Sequence, residues 1–149
     1  MKRLVIEYWT PVVFWLFVMF FFSTDAFSSD HTSQIIVPFL NLLAPSMSSE
    51  SLDFWHMAIR KLGHVTEYSV LAALTYRSLK QDCSGLISAG LRTMFCVVMA
   101  ASLDELHQYF TLFRTASPID VGYDCLGAVS ALWLITKYEA RRLRPYTVL

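Results

Sequence analysis

The chain has 149 residues and no net charge at pH 7, with 55% hydrophobic and only 16% charged residues. A soluble domain usually carries about 25% charged residues, so this composition and a mean hydropathy of +0.45 favour a membrane protein over a soluble helical domain. A nucleic-acid-binding face needs clustered basic residues, and with a neutral balance we predict no nucleic-acid partner. The three cysteines form no CxxC or Cys/His pattern, which indicates neither a disulfide framework nor a zinc site.

The first apolar segment runs from about Tyr8 to Phe27 and contains Pro11 near its start. A basic start followed by an apolar core is compatible with a cleaved signal peptide. The core is long and crowded with bulky aromatic residues, and no small-x-small cleavage site follows it cleanly. These features favour a retained membrane span.

The loop from Ser23 to Ala58 contains the stretch SQIIVPFLNLLAP, whose apolar residues are too few to cross a bilayer. Two interpretations stay open for it, a short helix lying at the membrane interface and a plain ordered loop. The serine cluster Ser46–Ser51 then offers several N-caps for the next helix, which we expect to begin outside the bilayer near Asp53.

Three further apolar segments follow, at about Ile59–Leu79, Leu91–Phe110 and Asp120–Tyr138. Each is close to the roughly 20 residues that a spanning helix needs, although all three carry ionisable groups. We therefore predict an all-α, polytopic membrane protein with four transmembrane helices, formed by residues 1–149 as a single domain.

Lysines and arginines are unequally distributed between the two sides of these spans. Nine fall on one side: Lys2, Arg3, Arg77, Lys80, Arg92, Lys137, Arg141, Arg142 and Arg144. The remaining three are Arg60, Lys61 and Arg114. Because positive residues accumulate in cytoplasmic loops, the distribution predicts that both termini are cytoplasmic and that the first and third loops face outward.

Polar side chains gather at the outer ends of the last three spans. They are Arg60, Lys61, His64 and Glu67 of the second span, Asp104, Glu105, His107 and Gln108 of the third, and Asp120 and Asp124 of the fourth, with Arg114 in the loop before it. Asp104 lies roughly 18 Å from Arg92 along a helix, inside a core about 30 Å thick, where a lone carboxylate costs several kcal/mol. We therefore predict that the second, third and fourth spans enclose a polar pocket open to the outside. Helical spacing places His64 and Glu67 on one face, within reach of Asp104 or His107.

Some of these residues also have a purely structural interpretation. In the stretch SPID, Ser117 fits the N-cap, Pro118 the first helical position and Asp120 the third, as in a capping box. Arg60 and Lys61 suit basic side chains that extend toward the membrane interface.

The polar set supports three kinds of role. A histidine beside a carboxylate is a common proton-transfer unit, and Arg114 near a helix N-terminus would suit a phosphate or carboxylate. We name His64, Glu67, Asp104, Glu105 and His107 as candidate catalytic residues, and Lys61, Gln108, Arg114 and Asp120 as candidate substrate-binding residues. The H-x-x-E and D-x-x-H spacings also resemble helical metal sites, but we predict no metal and no other cofactor. The third role is binding or helix packing without chemistry, with His64 and Glu67 as a tie between helices and Glu105 paired with a basic residue.

Two segments, KLGHVTEYSVLAAL and SLDELHQYFTLFRTASPIDVGYDCLGA, resemble the VanZ-like membrane protein family. The corresponding positions are Lys61, His64, Glu67, Asp104, Glu105, Gln108, Phe110, Arg114, Asp120 and Gly127. The resemblance covers about residues 55–137 and leaves the first span outside it. Asp124 is a departure, because the family usually has asparagine there.

The resemblance implies a small polytopic protein of the bacterial cytoplasmic membrane. The family's namesake is an accessory factor that confers low-level resistance to the glycopeptide teicoplanin, and the family implies a cell-envelope setting without an enzyme class. We expect a protein in the lipid bilayer that binds, or binds and modifies, a lipid-linked or anionic envelope molecule such as a lipid-linked precursor. The alternatives are a non-catalytic accessory or scaffold protein, whose polar cluster fixes helix packing, and a proton-coupled carrier, for which homo-oligomerisation would be needed.

Overall fold

The computed structural model describes the backbone of residues 2–83, 85–111 and 116–143, with side chains from Ile6 to Arg142 within those ranges. These residues form α-helices and connecting turns without a strand, which confirms the all-α fold class. The helices are α1 (Lys2–Phe22), α2 (Ser29–Leu43), α3 (Ser49–Leu79), α4 (Leu86–Tyr109) and α5 (Pro118–Leu143), and a 3₁₀ turn (Asp25–Phe27) joins α1 to α2. Each of the four predicted apolar segments falls largely on one helix, and the first loop contains the short helix α2.

Serine side chains cap the helices on both sides of the first loop. The Ser28 hydroxyl accepts from the backbone N–H of His31 at the start of α2, and Ser48 accepts from the backbone N–H of Ser51 at the start of α3. The predicted cap from the serine cluster is therefore confirmed. Helix α3 has 31 residues and is about 46 Å long, so it exceeds a bilayer core of about 30 Å.

Helix α3 is the centre of the fold, since it packs against α1, α2, α4 and α5, and most extensively against α5. Gly127 permits this close packing, because a Cβ atom at that position would lie 2.2 Å from the backbone oxygen of Val65. The Ser69 hydroxyl donates to the Gly127 backbone oxygen at 2.9 Å. Small residues at helix interfaces are how membrane helices reach such close packing.

The buried core is small, whereas much of the outer surface is apolar. Tyr68, Leu71 and Ala72 of α3 pack with Val97 of α4 and Ala128 of α5. Large apolar side chains are exposed along α1, α4 and α5. An apolar exterior of this kind suits contact with lipid.

Two helices, α4 and α5, are long and apolar enough to cross a membrane. Ile6–Phe22 and Asp25–Leu43 qualify only as a pair bent by 69°, which would make three spans. The expectation of four spans is thus supported for two or three of them. Helix α3 does not qualify, and it carries Arg60, Lys61 and Glu67 within its length.

Candidate functional site

A cavity of about 250 Å³ lies near the C-terminal end of α1, beneath α2. Its charged groups, its histidine and its amide come from α3 and α4: Arg60, His64, Glu67, Asp104 and Gln108. Its apolar lining comes mainly from α1, the 3₁₀ turn and α2: Met19, Phe22, Phe27 and Ile36, with Ile59 of α3. The charged side of the cavity therefore faces a mainly apolar wall, to which Ser23 and Thr32 add two hydroxyl groups.

The cavity was expected to be enclosed by α3, α4 and α5, but α5 does not line it in the way that was predicted. The described lining of the cavity includes residues of α1 and α2 and none of α5. The reason is the turn after α1, which brings α2 back onto α3. Helix α5 instead contributes acidic side chains that contact α3 beside the cavity.

His64 forms its ion-pair contact with α5. Its Nδ1 atom lies 3.3 Å from Oδ1 of Asp124, whose side chain is fully buried. The contact is an ion-pair distance without hydrogen-bond geometry, since neither carboxylate oxygen of Asp124 nor Nδ1 of His64 has a hydrogen-bond partner among the described residues. Asp104 or His107 was the expected partner of His64, and the structure instead gives it Asp124, with Asp104 lining the same cavity.

Asp104 and Gln108 are one helical turn apart and are joined directly, as Gln108 Nε2 donates to Asp104 Oδ2 at 2.9 Å. Glu67 lines the cavity on the facing helix. Its backbone oxygen accepts from Trp15 Nε1 at 2.9 Å, which ties α1 to α3 at this level. The carboxylates of Glu67 and Asp104 therefore border one cavity from two helices.

Arg60 connects α3 to the segment above the cavity. Its Nη1 atom donates to the backbone oxygen of Phe27 at 3.0 Å and to the hydroxyl of Thr32 at 2.8 Å. His56, which lies one turn earlier and precedes the predicted span, is 3.2 Å from the same hydroxyl through its Nε2 atom. Burial, followed by the charge of Arg60, lowers the pKa of His56. Arg60 thus holds α2 over the cavity.

Lys61 and Asp120 form a pair at the start of α5. Lys61 Nζ lies 3.1 Å from Asp120 Oδ1 and 4.1 Å from the centre of the Tyr123 ring. Both charged side chains are partly exposed. The ion pair joins the start of α5 to α3 through the side chain of Asp120.

The start of α5 explains this role of Asp120. The Ser117 hydroxyl accepts from the backbone N–H of Ile119, as an N-cap does. In a capping box the third helical residue would accept from the N-cap backbone N–H, but Glu105 of α4 accepts from Ser117 N instead. Asp120 is therefore available for Lys61.

His107 lies on another side of α4. Its Nδ1 atom is 3.3 Å from the hydroxyl of Ser23, and its ring packs against Phe20 with centroids 4.7 Å apart and the two planes tilted by 44°. His107 thus bridges α4 to the end of α1, outside the lining of the polar cavity.

The sequence of the chain matches a known protein family. The VanZ/LLP1 family model matches residues 8–139. The chain belongs to the VanZ/LLP1 family. No curated protein and no solved structure gives a significant match. The predicted resemblance is confirmed, and the match also includes most of α1, which the resemblance over residues 55–137 had left outside. The family and the apolar helices identify a membrane protein of the VanZ type.

In this VanZ/LLP1 protein, the nine predicted site residues separate into groups. His64, Glu67, Asp104 and Gln108 line the cavity on its polar side. Lys61 and Asp120 pair beside it, whereas Glu105 and His107 hold helix ends together. Arg114 lies outside the described residues, so its role stays a prediction.

Sequence reasoning missed the positions that α1 and α2 contribute to the cavity, and it left an interfacial role open for Arg60. One signal was present, because Arg60, His64 and Glu67 lie at helical spacing on one face of α3. Nothing in the sequence indicated that Thr32 would lie beside Arg60. In the part of the chain that the structure describes, no group of three or more histidine, cysteine or acidic residues is arranged to hold a metal ion.

Proposed function

We propose that this VanZ/LLP1 protein binds a lipid-linked or anionic molecule of the bacterial cell envelope in the cavity beneath α2. It does so in the cytoplasmic membrane, with α1, α3, α4 and α5 as four spans, both termini in the cytoplasm, and the cavity on the extracytoplasmic side. The distribution of lysine and arginine supports this orientation.

The observation that carries the proposal is the two-sided lining of the cavity. Arg60, Glu67 and Asp104 offer charged groups, whereas Met19, Phe22 and Ile36 offer an apolar wall. A guanidinium group suits a phosphate or carboxylate, and the carboxylates suit hydroxyl or amine donors. An amphiphile whose headgroup carries both an anion and such donors fits this lining better than a simple inorganic anion.

The same lining is suited to chemistry on the bound headgroup. His64 and the carboxylates of Glu67 and Asp104 border one cavity, and groups of this kind transfer protons when they lie within hydrogen-bond reach of a substrate. Modification of the bound molecule is therefore the second half of the proposal, with His64, Glu67 and Asp104 as the groups that would carry it.

A scaffold role is the second candidate, and one observation favours it. Polar side chains at this end of the bundle join helices to one another: His64 to Asp124, Lys61 to Asp120, and Glu105 to the Ser117 backbone. Contacts of this kind would hold α3, α4 and α5 together without any ligand.

The test is lipid retention by the purified full-length protein. Glu67→Gln and Asp104→Asn remove the cavity carboxylates with little change in volume, and Glu139→Gln makes the same change at the other end of the bundle, where Glu139 binds Lys80 and Tyr76. Envelope lipids that copurify in mild detergent are measured by mass spectrometry, together with thermal stability. We expect both cavity variants to lose the retained lipid while their stability stays near that of the unchanged protein, and Glu139→Gln to retain the lipid.

The scaffold candidate predicts a different pattern. If Glu67→Gln and Asp104→Asn lower membrane abundance and thermal stability together, without a selective loss of lipid, the cavity is structural and the binding proposal is wrong.

A further inference from the structure

A second cavity, of about 520 Å³, lies between α1 and α4. We call it the α1–α4 groove. Leu16 and Phe20 of α1 form one wall, Cys96 and Ala100 of α4 form the other, and Tyr68 of α3 forms the floor. The groove exists because α1 and α4 both pack against α3, while their contact with each other is slight.

The groove adjoins the polar cavity. Met19 and Asp104 line both spaces, so the two spaces meet at these side chains. At this end of the groove, His107 bridges α4 to Ser23 and Phe20 of α1. The apolar space and the charged cavity therefore share a boundary.

The chemistry of the groove selects its occupant. Apart from Asp104 and His107 at one end, its side chains are almost all apolar, and it opens on the exterior of α1 and α4, which carries Phe17 and Phe95 exposed. In a membrane that exterior contacts lipid, and hydrocarbon is the only abundant material that fills an apolar groove there. The cavity and the groove together have the size of a typical small-molecule pocket, about 300–1,000 Å³.

We infer that the α1–α4 groove holds a hydrocarbon chain of the same lipid whose headgroup occupies the polar cavity. This inference rests on the proposed function and adds the ligand class to it: an amphiphile that enters sideways from the bilayer, with its chain between α1 and α4 and its headgroup against Arg60, Glu67 and Asp104. Met19 lies where chain and headgroup meet.

Ala100→Phe tests the inference by filling the groove, and Val98→Phe is the matched control, since Val98 is exposed on the same helix and does not line the groove. The probes are phosphatidylglycerol, an undecaprenyl phosphate that bears a sugar, and chain-free glycerol 3-phosphate, added to delipidated protein and detected by native mass spectrometry. We expect Ala100→Phe to weaken binding of the preferred chain-bearing probe about tenfold, and Val98→Phe to leave it unchanged. The better of the two lipids identifies whether acyl or polyisoprenyl chains are preferred.

A measurement without substitution covers the case in which Ala100→Phe fails to fold. Cys96 lines the groove, whereas Cys83 lies in the α3–α4 connection. Bound lipid should slow the reaction of Cys96 with N-ethylmaleimide and leave Cys83 as the internal reference.

The outcomes separate this inference from the proposed function. If the chain-bearing probe binds and Asp104→Asn abolishes binding, but neither Ala100→Phe nor the reactivity of Cys96 responds, the headgroup site stands and the groove inference is wrong. If the chain-free phosphate binds as tightly as either lipid, the chain contributes nothing and the inference is again wrong. If no probe depends on Asp104, the proposed function itself is wrong.

Discussion

Gly127 is the single residue on which the contact between α3 and α5 depends most directly. An alanine Cβ there would lie 2.2 Å from the Val65 oxygen and 3.0 Å from its carbonyl carbon, both backbone atoms that move only with the helix. We expect Gly127→Ala to destabilise the protein by about 1–3 kcal/mol or more, as overpacking does. Thermal unfolding in detergent measures the loss.

Gly122→Ala is the matched control for Gly127, because both glycines lie in α5 and a Cβ at Gly122 meets nothing within 4 Å. Alanine is the better helix former by up to about 1 kcal/mol, so this variant should unfold at the same temperature or higher. Equal losses from the two substitutions would contradict the close-packing argument.

A second prediction at the residue scale concerns the contribution of the His64–Asp124 pair to stability. His64→Ala leaves the fully buried Asp124 carboxylate without its ion-pair contact, and we expect a loss of about 3–5 kcal/mol. Adding Asp124→Asn removes the buried charge and should recover most of that loss. Stability of the two variants is compared by thermal unfolding, and a double variant no more stable than His64→Ala would show that Asp124 imposes no such cost.

The sequence grouped four of the polar residues in one pocket but did not give their partners. His64, Glu67, Asp104 and Gln108 were predicted to share a pocket, and they line one cavity, because helical spacing and the cost of burying charge restrict where such side chains can lie. Partners depend on how the helices are rotated against one another. That rotation follows from contacts such as Gly127 on Val65, which single-helix periodicity does not encode, so the partner of His64 came from α5 instead of α4.

At the scale of elements, α2 is the helix most dependent on a few contacts. It packs against α3 and the 3₁₀ turn, and Arg60 donates to Phe27 O and to the Thr32 hydroxyl. The sequence allowed either a short helix or an ordered loop here. The helix forms with Ser28 as its cap, and its placement over the cavity depends on a long-range contact between Arg60 and Thr32 that no local pattern predicts.

Arg60→Lys tests this anchoring. Lysine keeps the charge but lacks the planar guanidinium that reaches two oxygens at once, so α2 should open more often. We expect hydrogen exchange in residues 29–43 to accelerate about tenfold, measured by mass spectrometry on the detergent-solubilised protein, since local opening sets exchange rates. Arg77→Lys, the same change near the other end of α3, should leave α2 unaffected, and unchanged exchange in the Arg60 variant would remove the anchoring role.

At the scale of the whole molecule, the sequence predicted the order of the helices and the membrane class, whereas hydropathy supports two or three of the four predicted spans. Helix α3 carries Arg60, Lys61 and Glu67 of the site, so hydropathy does not mark it as a span. Its length and central packing support a span nonetheless, because α4 and α5 both pack against it. The residues that give the protein its candidate site are the same ones that lower the hydropathy of this helix.

The packing of the helices does not determine which side of the membrane each end of the protein faces. Labelling of intact cells tests the predicted orientation. Cys83 lies in the α3–α4 connection, which the excess of lysine and arginine assigns to the cytoplasm, so a membrane-impermeant maleimide should not label it from outside. His31→Cys, at an exposed position in α2, should be labelled, and a reporter fused after Leu149 should be active only in the cytoplasm. The opposite result is labelling of Cys83 in intact cells, with the thiol introduced by His31→Cys protected until the membrane is permeabilised. It would show that the protein has the reverse orientation in the membrane. The cavity beneath α2 would then face the cytoplasm, and its ligand would have to be sought among molecules of the inner leaflet.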